Sequence, residues 1–374
     1  MSFRKRNVVI GAPSPSSSQA LRQDKSPAPG TRPSPLDGRI TTSTGTLSFD
    51  QLLAGHAGLP MGSSVLVEEA GTTDFGGILL RYYAAEGLVQ GHDVHILGYD
   101  DSWRRELPGL VAAPEPKIQK SDQAADDRMK IAWRYESLGN KSPQPRGPST
   151  STSSSQFCHS FDLTKRLEHS AMKGQLHVCP SSDPLSARSA PSVFKRFLSD
   201  LSSKLARSPT SVHRIVIPNL LSPTVYASTA CRPQEVLQFL HGLRGLLRQF
   251  STRTTALITL PISLHPRSSG LVRWIELLSD GVLELVPLQH QNKIARDLPG
   301  EDKTQGLLRT HSLPGFQEKG GGLDGLWMRD DLSFRLSSSN GLVITPFTLP
   351  PVGEDENPDK GSKAGEGKNQ SLEF

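Results

Sequence analysis

The feature that most constrains the fold is a regular alternation of short apolar segments with helical apolar stripes. Ser64–Glu68 has the composition of a buried strand, apolar residues recur at helical spacing from Phe75, and Asp93–Gly98 follows as the next strand. Strand, helix and strand at this spacing predict right-handed βαβ units and a mostly parallel sheet. The alternation resumes with helices predicted from about residues 193, 233 and 271, and strands at 214–217, 256–260 and 282–286.

Three later apolar runs predict an extension at one edge of that sheet. They lie at 306–313, 332–336 and 342–347, and we expect them to form antiparallel strands. The predicted fold class is therefore α/β, a three-layer fold with a mostly parallel central sheet, antiparallel edge strands and disordered insertions.

Segments rich in Pro, Ser and Gly interrupt the pattern and cannot bury enough apolar surface to fold. Of the 374 residues, only 35% are hydrophobic, while 33 are Gly and 29 are Pro. We predict a disordered basic arm at 1–40, one folded domain at 41–352 and an acidic disordered tail at 353–374. Within the domain, low-complexity insertions are expected at about 137–156, 180–192 and 298–325.

Charge and cysteine content narrow the class of protein. The formal net charge is +5, which permits RNA binding without requiring it. The three cysteines are widely spaced and form no CxxC pair, so neither a disulfide framework nor a zinc site is expected. No apolar run approaches the ~20 residues of a membrane span. We expect a cytoplasmic protein that is also nuclear, with no cofactor and no metal.

The loop between the first predicted strand and helix has the position of a phosphate-binding loop but lacks its chemistry. A working GxxxxGK[ST] loop supplies backbone amides for the phosphates, a lysine to neutralise them and a hydroxyl for magnesium. In this chain Phe75 aligns with the lysine and Gly76 with the magnesium ligand. We interpret the segment as a degenerate loop made of Thr72, Thr73, Asp74, Phe75 and Gly76.

Carboxylates surround the position that an anion would need. Glu68, Glu69 and Asp74 flank the loop, and two like charges ~4 Å apart repel by about 4 kcal/mol at an effective dielectric constant of 20. We predict that Asp74 occupies the helix N-terminus in place of phosphate. The second nucleotide motif requires an acidic residue after strand 214–217, where Asn219 stands instead. On these residues alone, a fold unrelated to P-loop proteins stays open.

Motifs along the whole domain carry a family resemblance. GTLSFDQLLAG (45–55) followed by LPMGSSVLVE (59–68) resembles the entry to RecA- and KaiC-type domains. Further motifs resemble the Elongator subunit 4 family: LLRYYAAEGLVQGHDV (79–94), MKIAWRYE (129–136), FCHSFDLTKR (157–166), RIVIPNLLSP (214–223) and TPFTLPPV (345–352). Together these motifs cover about residues 40–352 in order.

The resemblance implies a RecA-like domain without a working P-loop. It also implies a six-membered ring made with two copies each of Elongator subunits 5 and 6, docked on the catalytic Elongator core. That core installs carboxymethyl-type groups on wobble uridines of tRNA, and the ring is implied to contact the tRNA. The chain itself is then not an enzyme but a subunit of one. A RecA-type ATPase with an unorthodox loop and a pure scaffold without RNA contact remain the alternatives.

Loops after the later strands are the candidates for RNA contact. Segments 265–269 and 289–296 are polar and basic with few carboxylates, which suits phosphate contact. In RecA-type rings such segments line the central opening. We therefore predict RNA contacts from Arg267, Lys293 and Arg296, the alternative being ordinary solvated loops. The alternating segment 129–136 is interpreted as a packing strand rather than as a platform for RNA bases.

Overall fold

A ten-stranded mixed sheet lies at the centre of the computed structural model, which describes residues 28–53, 55–111, 156–181, 192–288, 304–315, 323–324, 332–338 and 340–347. The helices in these ranges are α1 (Leu47–Leu52), α2 (Phe75–Gln90), α3 (Val193–Arg207), α4 (Pro233–Gln249) and α5 (Gly270–Leu278). The strands are β1 (Thr31–Pro33), β2 (Ile40–Thr42), β3 (Leu59–Pro60), β4 (Ser64–Glu69), β5 (Asp93–Gly98), β6 (Pro108–Leu110), β7 (Phe161–Arg166), β8 (Leu176–Pro180), β9 (His213–Ile217), β10 (Thr254–Pro261), β11 (Gly281–Pro287), β12 (Gly306–Leu313), β13 (Leu323–Asp324), β14 (Leu332–Ser337) and β15 (Gly341–Pro346).

The order of strands confirms the predicted fold class. It runs β15-β14-β12-β11-β4-β10-β9-β5-β8, with β13 beside β12. In this order, each strand from β11 through β4, β10, β9 and β5 to β8 pairs in parallel with the next. On the other side of β11, the strands β12, β14 and β15 follow in antiparallel pairing. The domain is therefore α/β, with a mostly parallel sheet and an antiparallel edge, consistent with a RecA-like three-layer fold. Each predicted strand and helix start after residue 192 agrees with the structure to within two residues.

Helices cover both faces of the sheet and create two apolar cores. Residues of α1 and α2 pack on one face and residues of α3, α4 and α5 on the other. All six residues of β4 are buried, as expected for a strand of a parallel sheet covered on both sides. On the second face Phe194 of α3 stacks on Phe239 of α4 with ring centroids 4.5 Å apart. No helix in the described part of the chain combines the length and apolarity that a membrane crossing needs.

The predicted disordered arm at 1–40 is too long, because β1 lies inside it. Thr31–Pro33 pairs antiparallel with Ile40–Thr42, which in turn pairs with β3. Contacts with the domain hold this segment in place: the ring of His92 donates to the carbonyl oxygen of Pro29 across 2.7 Å. The predicted insertion at 298–325 likewise contains β12. Segment 129–136, and most of 137–156 and 180–192, lie outside the described residues.

The sequence predicts that Gly87 and Gly91 end helix α2; the structure confirms Gly91, and the helix continues through Gly87. It stops at Gln90, and Gly91 adopts the left-handed conformation (φ 88°) typical of a helix end. A Cβ atom at Gly87 would lie 2.6 Å from Cδ of Arg214. Glycine is therefore required there by packing against a buried side chain, not by helix termination.

That arginine is fully buried and joins three parts of the fold. Its guanidinium donates to the carbonyl oxygens of Ser43 (2.8 Å) and Tyr83 (2.9 Å), to Oγ1 of Thr42 (2.8 Å) and to Nδ1 of His92 (3.0 Å). Arg214 of β9 thereby links the sheet to α2 and to the segment after β2. These four hydrogen bonds to acceptors inside the domain offset much of the cost of burying the charge.

Candidate functional site

The degenerate loop lies at the carboxyl ends of the parallel strands, where open α/β sheets bind ligands. It joins β4 to α2, and the residues that follow β5 and β9 lie beside it. Together they line a cleft of about 270 Å³. The polar side chains of this cleft are Thr73, Asp74, Arg81, Tyr99, Glu106 and Asn219.

The carboxylate of Glu69 occupies the anion position at the start of α2. It accepts hydrogen bonds from the backbone N–H groups of Phe75 (2.8 Å) and Gly76 (2.9 Å) and from the hydroxyl of Thr73 (2.7 Å). Free amides of this kind at a helix N-terminus are what P-loops present to phosphate. Burial raises the pKa of the Glu69 carboxyl, and these three hydrogen bonds oppose that rise.

Asp74, predicted to fill this position, does not. It precedes the first residue of α2, but its side chain caps none of the free amides and is half exposed. Its Oδ2 atom instead pairs with Arg81 at 2.7 Å, and Arg81 also contacts Glu106 at 3.1 Å. The prediction was wrong because Glu69, at the end of a buried strand, already bonds these amides, while Arg81 two turns along α2 attracts Asp74.

The two residues aligned with lysine and the magnesium ligand have structural roles. Phe75 packs edge-on against Phe334 with ring centroids 4.9 Å apart. Gly76 is buried, and a Cβ atom there would lie 3.0 Å from both Oε2 of Glu69 and Cγ2 of Thr259. A hydroxyl-bearing side chain at position 76 would therefore require its neighbours to move. Thr72 is exposed.

Asn219 begins a tight turn after β9. Its φ of 47° lies in the left-handed region, as does that of Leu221 at 68°, and asparagine tolerates this conformation better than most residues. The backbone N–H of Asn219 donates to Oγ1 of Thr259 across 2.7 Å, and Asn219 lines the cleft together with Tyr99. Where a working nucleotide site has a carboxylate after the strand, this chain has the neutral side-chain amide of Asn219 in the wall of the cleft.

A carboxylate cluster lies on the opposite side of β4. Successive strand residues point to opposite faces, so Glu68 extends away from Glu69 towards α5. It is fully buried, and Oε2 lies 3.0 Å from Nε of Arg267, out of line for a hydrogen bond. Burial, together with the neighbouring carboxylates of Glu276 and Glu284, raises the pKa of Glu68 to about 8.

Arg267, predicted to contact RNA, lies among these carboxylates. Its Nε atom is 2.8 Å from Glu276, and its terminal nitrogen donates to Nδ1 of His311 at 3.2 Å. His311 in turn donates to Glu284 at 2.9 Å. An RNA phosphate would therefore compete with this chain's own carboxylates for Arg267. Lys293 and Arg296 lie outside the described residues, so their RNA contacts stay predictions.

The described residues contain no candidate metal centre and no helix suited to span a membrane. Within the ranges given above, no group of three or more His, Cys, Asp or Glu side chains is arranged to hold a metal ion. The described cysteines Cys158, Cys179 and Cys231 are unbridged. What the site offers is a closed loop, a polar cleft beside it and a buried carboxylate cluster behind it.

Comparison with known proteins agrees with this architecture. The family model described as PAXNEB protein matches residues 24–374. The chain belongs to the PAXNEB family. Relatives of this PAXNEB chain include Elongator complex protein 4 of Schizosaccharomyces pombe, 31% identical over 92% of this chain and 95% of the relative. The proteins of the same name from Saccharomyces cerevisiae and Homo sapiens are 28% and 27% identical, over 78% and 68% of this chain and 70% and 65% of their own lengths.

The role of Glu69 is the feature that sequence reasoning missed in this PAXNEB chain. The loop was interpreted residue by residue against the GxxxxGK[ST] pattern, which begins after the strand. Two adjacent glutamates at the end of an apolar strand were the available signal. Because alternate strand residues point to opposite faces, one of them necessarily points to the helix that follows.

Proposed function

We propose that this chain is a non-catalytic subunit of an Elongator assembly that takes part in carboxymethyl-type modification of tRNA wobble uridines. The observation that carries the proposal is the carboxylate of Glu69 on the amides of Phe75 and Gly76. A nucleotide phosphate cannot share that position with a fixed carboxylate, since two like charges at contact distance repel. Membership of a family whose relatives are named Elongator complex protein 4 supports the choice of assembly.

In this proposal the chain acts by binding. It joins Elongator subunits 5 and 6 in a heterohexameric ring of RecA-like domains, and the ring docks on the catalytic core. There it helps to present tRNA and to release it. RNA contact falls to the loop after β11, which carries Lys293 and Arg296. Arg267, in the loop after β10, would contact phosphate only in competition with Glu276 and Glu68.

The first experiment tests the assembly role in cells. A strain that lacks its own subunit of this family receives the full chain or an empty vector, and wobble-uridine nucleosides are quantified by mass spectrometry of digested tRNA. We expect the chain to restore the carboxymethyl-type nucleosides to most of the level in the unmodified strain. Modification that is equally abundant with and without the chain would contradict the proposal.

A second experiment separates a binding subunit from an ATPase. The purified full chain is assayed for ATP turnover, with the variants Asp74→Ala, Thr72→Ala and Thr73→Ala beside it. We expect no turnover above the background of a mock purification. Hydrolysis that survives Asp74→Ala but disappears on changing Thr72 or Thr73 would assign an ATPase activity to the loop instead.

A third experiment separates RNA binding from pure scaffolding. tRNA is crosslinked to the assembled ring at low and at high salt, and the attached peptides are identified. We expect salt-sensitive crosslinks on peptides that contain Lys293 or Arg296. A ring that assembles but gives no such crosslinks would reduce the chain to a scaffold.

A further inference from the structure

A second cleft, of about 340 Å³, lies where α1, the start of β7 and β15 meet. It shares no lining residue with the cleft beside the degenerate loop. Leu47, Val343 and Ile344 give it apolar surface, and Leu47 is 63% exposed. Pockets for small ligands span about 300–1,000 Å³ and combine apolar walls with a few fixed polar groups. The volume and the apolar wall fit the lower end of that class.

One wall of this cleft carries an imidazole that a buried carboxylate holds in place. Glu86 of α2 is fully buried; its Oε1 lies 3.0 Å from Nδ1 of His159, and its Oε2 accepts from the backbone N–H of His159 across 2.9 Å. Gln90 donates to the same carboxylate across 2.7 Å. Because a carboxylate only accepts, Nδ1 of His159 carries the proton, and the neutral ring presents Nε2 as an acceptor. The His159 side chain lines the cleft and is 21% exposed.

Two carboxamides and two hydroxyls complete the polar lining. Gln51, Asn340 and Ser160 are exposed residues that line the cleft. Each carboxamide offers both a donor and an acceptor on one planar edge. Ser48 donates to the carbonyl oxygen of Leu342 across 2.8 Å, which leaves its oxygen as an acceptor. A ligand with donors and acceptors along one edge can therefore satisfy this lining.

Charge restricts that ligand to a neutral group. Among the residues that the structure describes, no Lys, Arg, Asp or Glu side chain lines the cleft. An anion would meet the buried charge of Glu86 without a cation to offset it. A cation would find the same carboxylate already bonded to His159 and Gln90. Burial raises the pKa of the Cys158 thiol, also in the lining, to about 12, so the thiol is neutral and no nucleophile.

We propose that this cleft binds a nucleobase, either of a free nucleoside or of an unstacked base in RNA. An N–H group of the base donates to Nε2 of His159, and the carboxamides of Gln51 and Asn340 bond its polar edge. Leu47 and Ile344 contact the faces of the ring. Carboxamide side chains pair with base edges, and side chains that cover the ring faces hold unstacked bases. The amide of a polypeptide side chain has the polar edge without the ring, so it would leave the apolar wall in water.

The test uses the purified full chain and the four ribonucleosides, with binding measured by isothermal titration calorimetry. We expect at least one nucleoside to bind saturably with a Kd of about 1 mM or tighter. Its 5′-monophosphate should bind no tighter than the nucleoside, because no cation lines the cleft.

Variants of the two carboxamides locate the ligand. Gln51→Ala and Asn340→Ala should each weaken binding about five-fold, which corresponds to the loss of one hydrogen bond. The matched control is Gln234→Ala, an exposed glutamine in the first turn of α4, which should bind as the parent does. Thermal unfolding of each variant verifies that it remains folded.

Nuclear magnetic resonance tests the contact with His159. A ¹⁵N correlation spectrum of the imidazoles resolves Nε2 of His159, which His159→Gln assigns. Saturating nucleoside should shift that resonance and leave the exposed His241 unchanged. A shift at neither ring would contradict the proposed hydrogen bond.

The outcomes decide both the class of ligand and its source. A short single-stranded RNA of the best-bound base that displaces the nucleoside identifies a base in RNA, and nucleoside binding without displacement identifies a free nucleoside; each supports the proposal. Failure of all four nucleosides to bind up to about 10 mM overturns it. Binding that is unchanged in both Gln51→Ala and Asn340→Ala also overturns it, and so does binding of N-acetylasparagine methylamide in place of the nucleosides, which would assign the cleft to a polypeptide. The isolated chain suffices for these measurements, so they succeed or fail independently of the proposed function.

Discussion

The Oε2 atom of Glu69 accepts a hydrogen bond from the backbone N–H of Gly76 across 2.9 Å. Glu69 ends a strand, Gly76 lies seven positions later in the first turn of a helix, and the carboxylate closes the loop between them. In a P-loop the corresponding backbone amides bind a phosphate of the nucleotide, and that ligand orders the loop. Here the bond is internal, so the loop needs no nucleotide to hold its shape. A strand–loop–helix unit of this kind is suited to assembly.

Removal of that carboxylate should destabilise the domain measurably. Glu69→Ala leaves the N–H groups of Phe75 and Gly76 without their acceptor, and Gly76 is buried. We expect the free energy of unfolding to fall by about 1–3 kcal/mol. Urea titration followed by circular dichroism measures the change. Sulfate should stabilise the variant more than the parent, because the freed amides accept an anion.

Glu106→Ala is the matched control for this prediction. Glu106 is a 46% exposed carboxylate on the same cleft, and its contact is an ion pair with Arg81. Exposed ion pairs contribute little, so its loss should cost about 0.5 kcal/mol or less. Equal losses in the two variants would show that Glu69 is one more surface carboxylate and that the loop is held by other contacts.

The sequence predicted elements better than it predicted contacts. Apolar periodicity located β4, α2 and β5 because burial on one or two faces leaves its pattern in the chain. The pattern could not show that Gly87 serves Arg214 rather than a helix end, since that requirement arises between segments far apart in sequence. For the same reason the sequence predicted Asp74, and not Glu69, at the anion position: the contact joins a strand end to a helix start. The prediction of RNA contact for Arg267 rests on the basic composition of its own loop. The carboxylates that contact it, Glu68 and Glu276, belong to other elements, β4 and α5.

Loss of the buried arginine should have one of the largest effects in the domain. Arg214→Met removes four hydrogen bonds and leaves the acceptors on Thr42, Ser43, Tyr83 and His92 without a donor. We expect a loss of about 3–5 kcal/mol, measured by urea unfolding. Arg207→Met, at the exposed end of α3, makes the same chemical change at the surface and should stay within about 0.5 kcal/mol of the parent. Similar losses at the two positions would refute a structural role for Arg214.

Three buried histidines should lower the stability of the fold below about pH 6.5, and the raised pKa values of Glu68 (to about 8) and Asp50 (to about 6) oppose that loss. Nε2 of His92 donates to Pro29, and its Nδ1 accepts from Arg214, so the ring is held neutral; burial and that arginine lower its pKa to about 3. Burial also lowers the pKa values of His95 and His213. The unfolded chain takes up these protons below about pH 6.5 and the folded chain does not, so His92 alone costs about 2 kcal/mol at pH 5.

Urea midpoints at pH 7 and pH 5 test this dependence. The change in midpoint between pH 7 and pH 5 should be the same in the parent and in His241→Gln, because His241 is exposed. At pH 5 the His92→Gln variant should gain on the parent, because its amide nitrogen can still donate to Pro29 without taking up a proton. The same change in midpoint in His92→Gln and in the parent would mean that His92 titrates normally in the folded chain.

Glu68→Gln should stabilise the protein at alkaline pH. Burial and the neighbouring carboxylates raise the pKa of Glu68 to about 8. Because this pKa is higher in the folded than in the unfolded chain, protonated Glu68 contributes to the free energy of unfolding. That contribution is complete below the unfolded pKa near 4.5 and is lost as pH rises through 8. Glutamine keeps the shape without the ionisation, so the variant should gain on the parent as pH rises from 4.5 to 8, by up to about 5 kcal/mol at pH 8.5. Unfolding free energies at pH 5.5 and pH 8.5 measure the difference. If Arg267, 3.0 Å away, instead keeps Glu68 ionised, the variant will be less stable than the parent at both pH values, because it loses the ion pair between these two side chains.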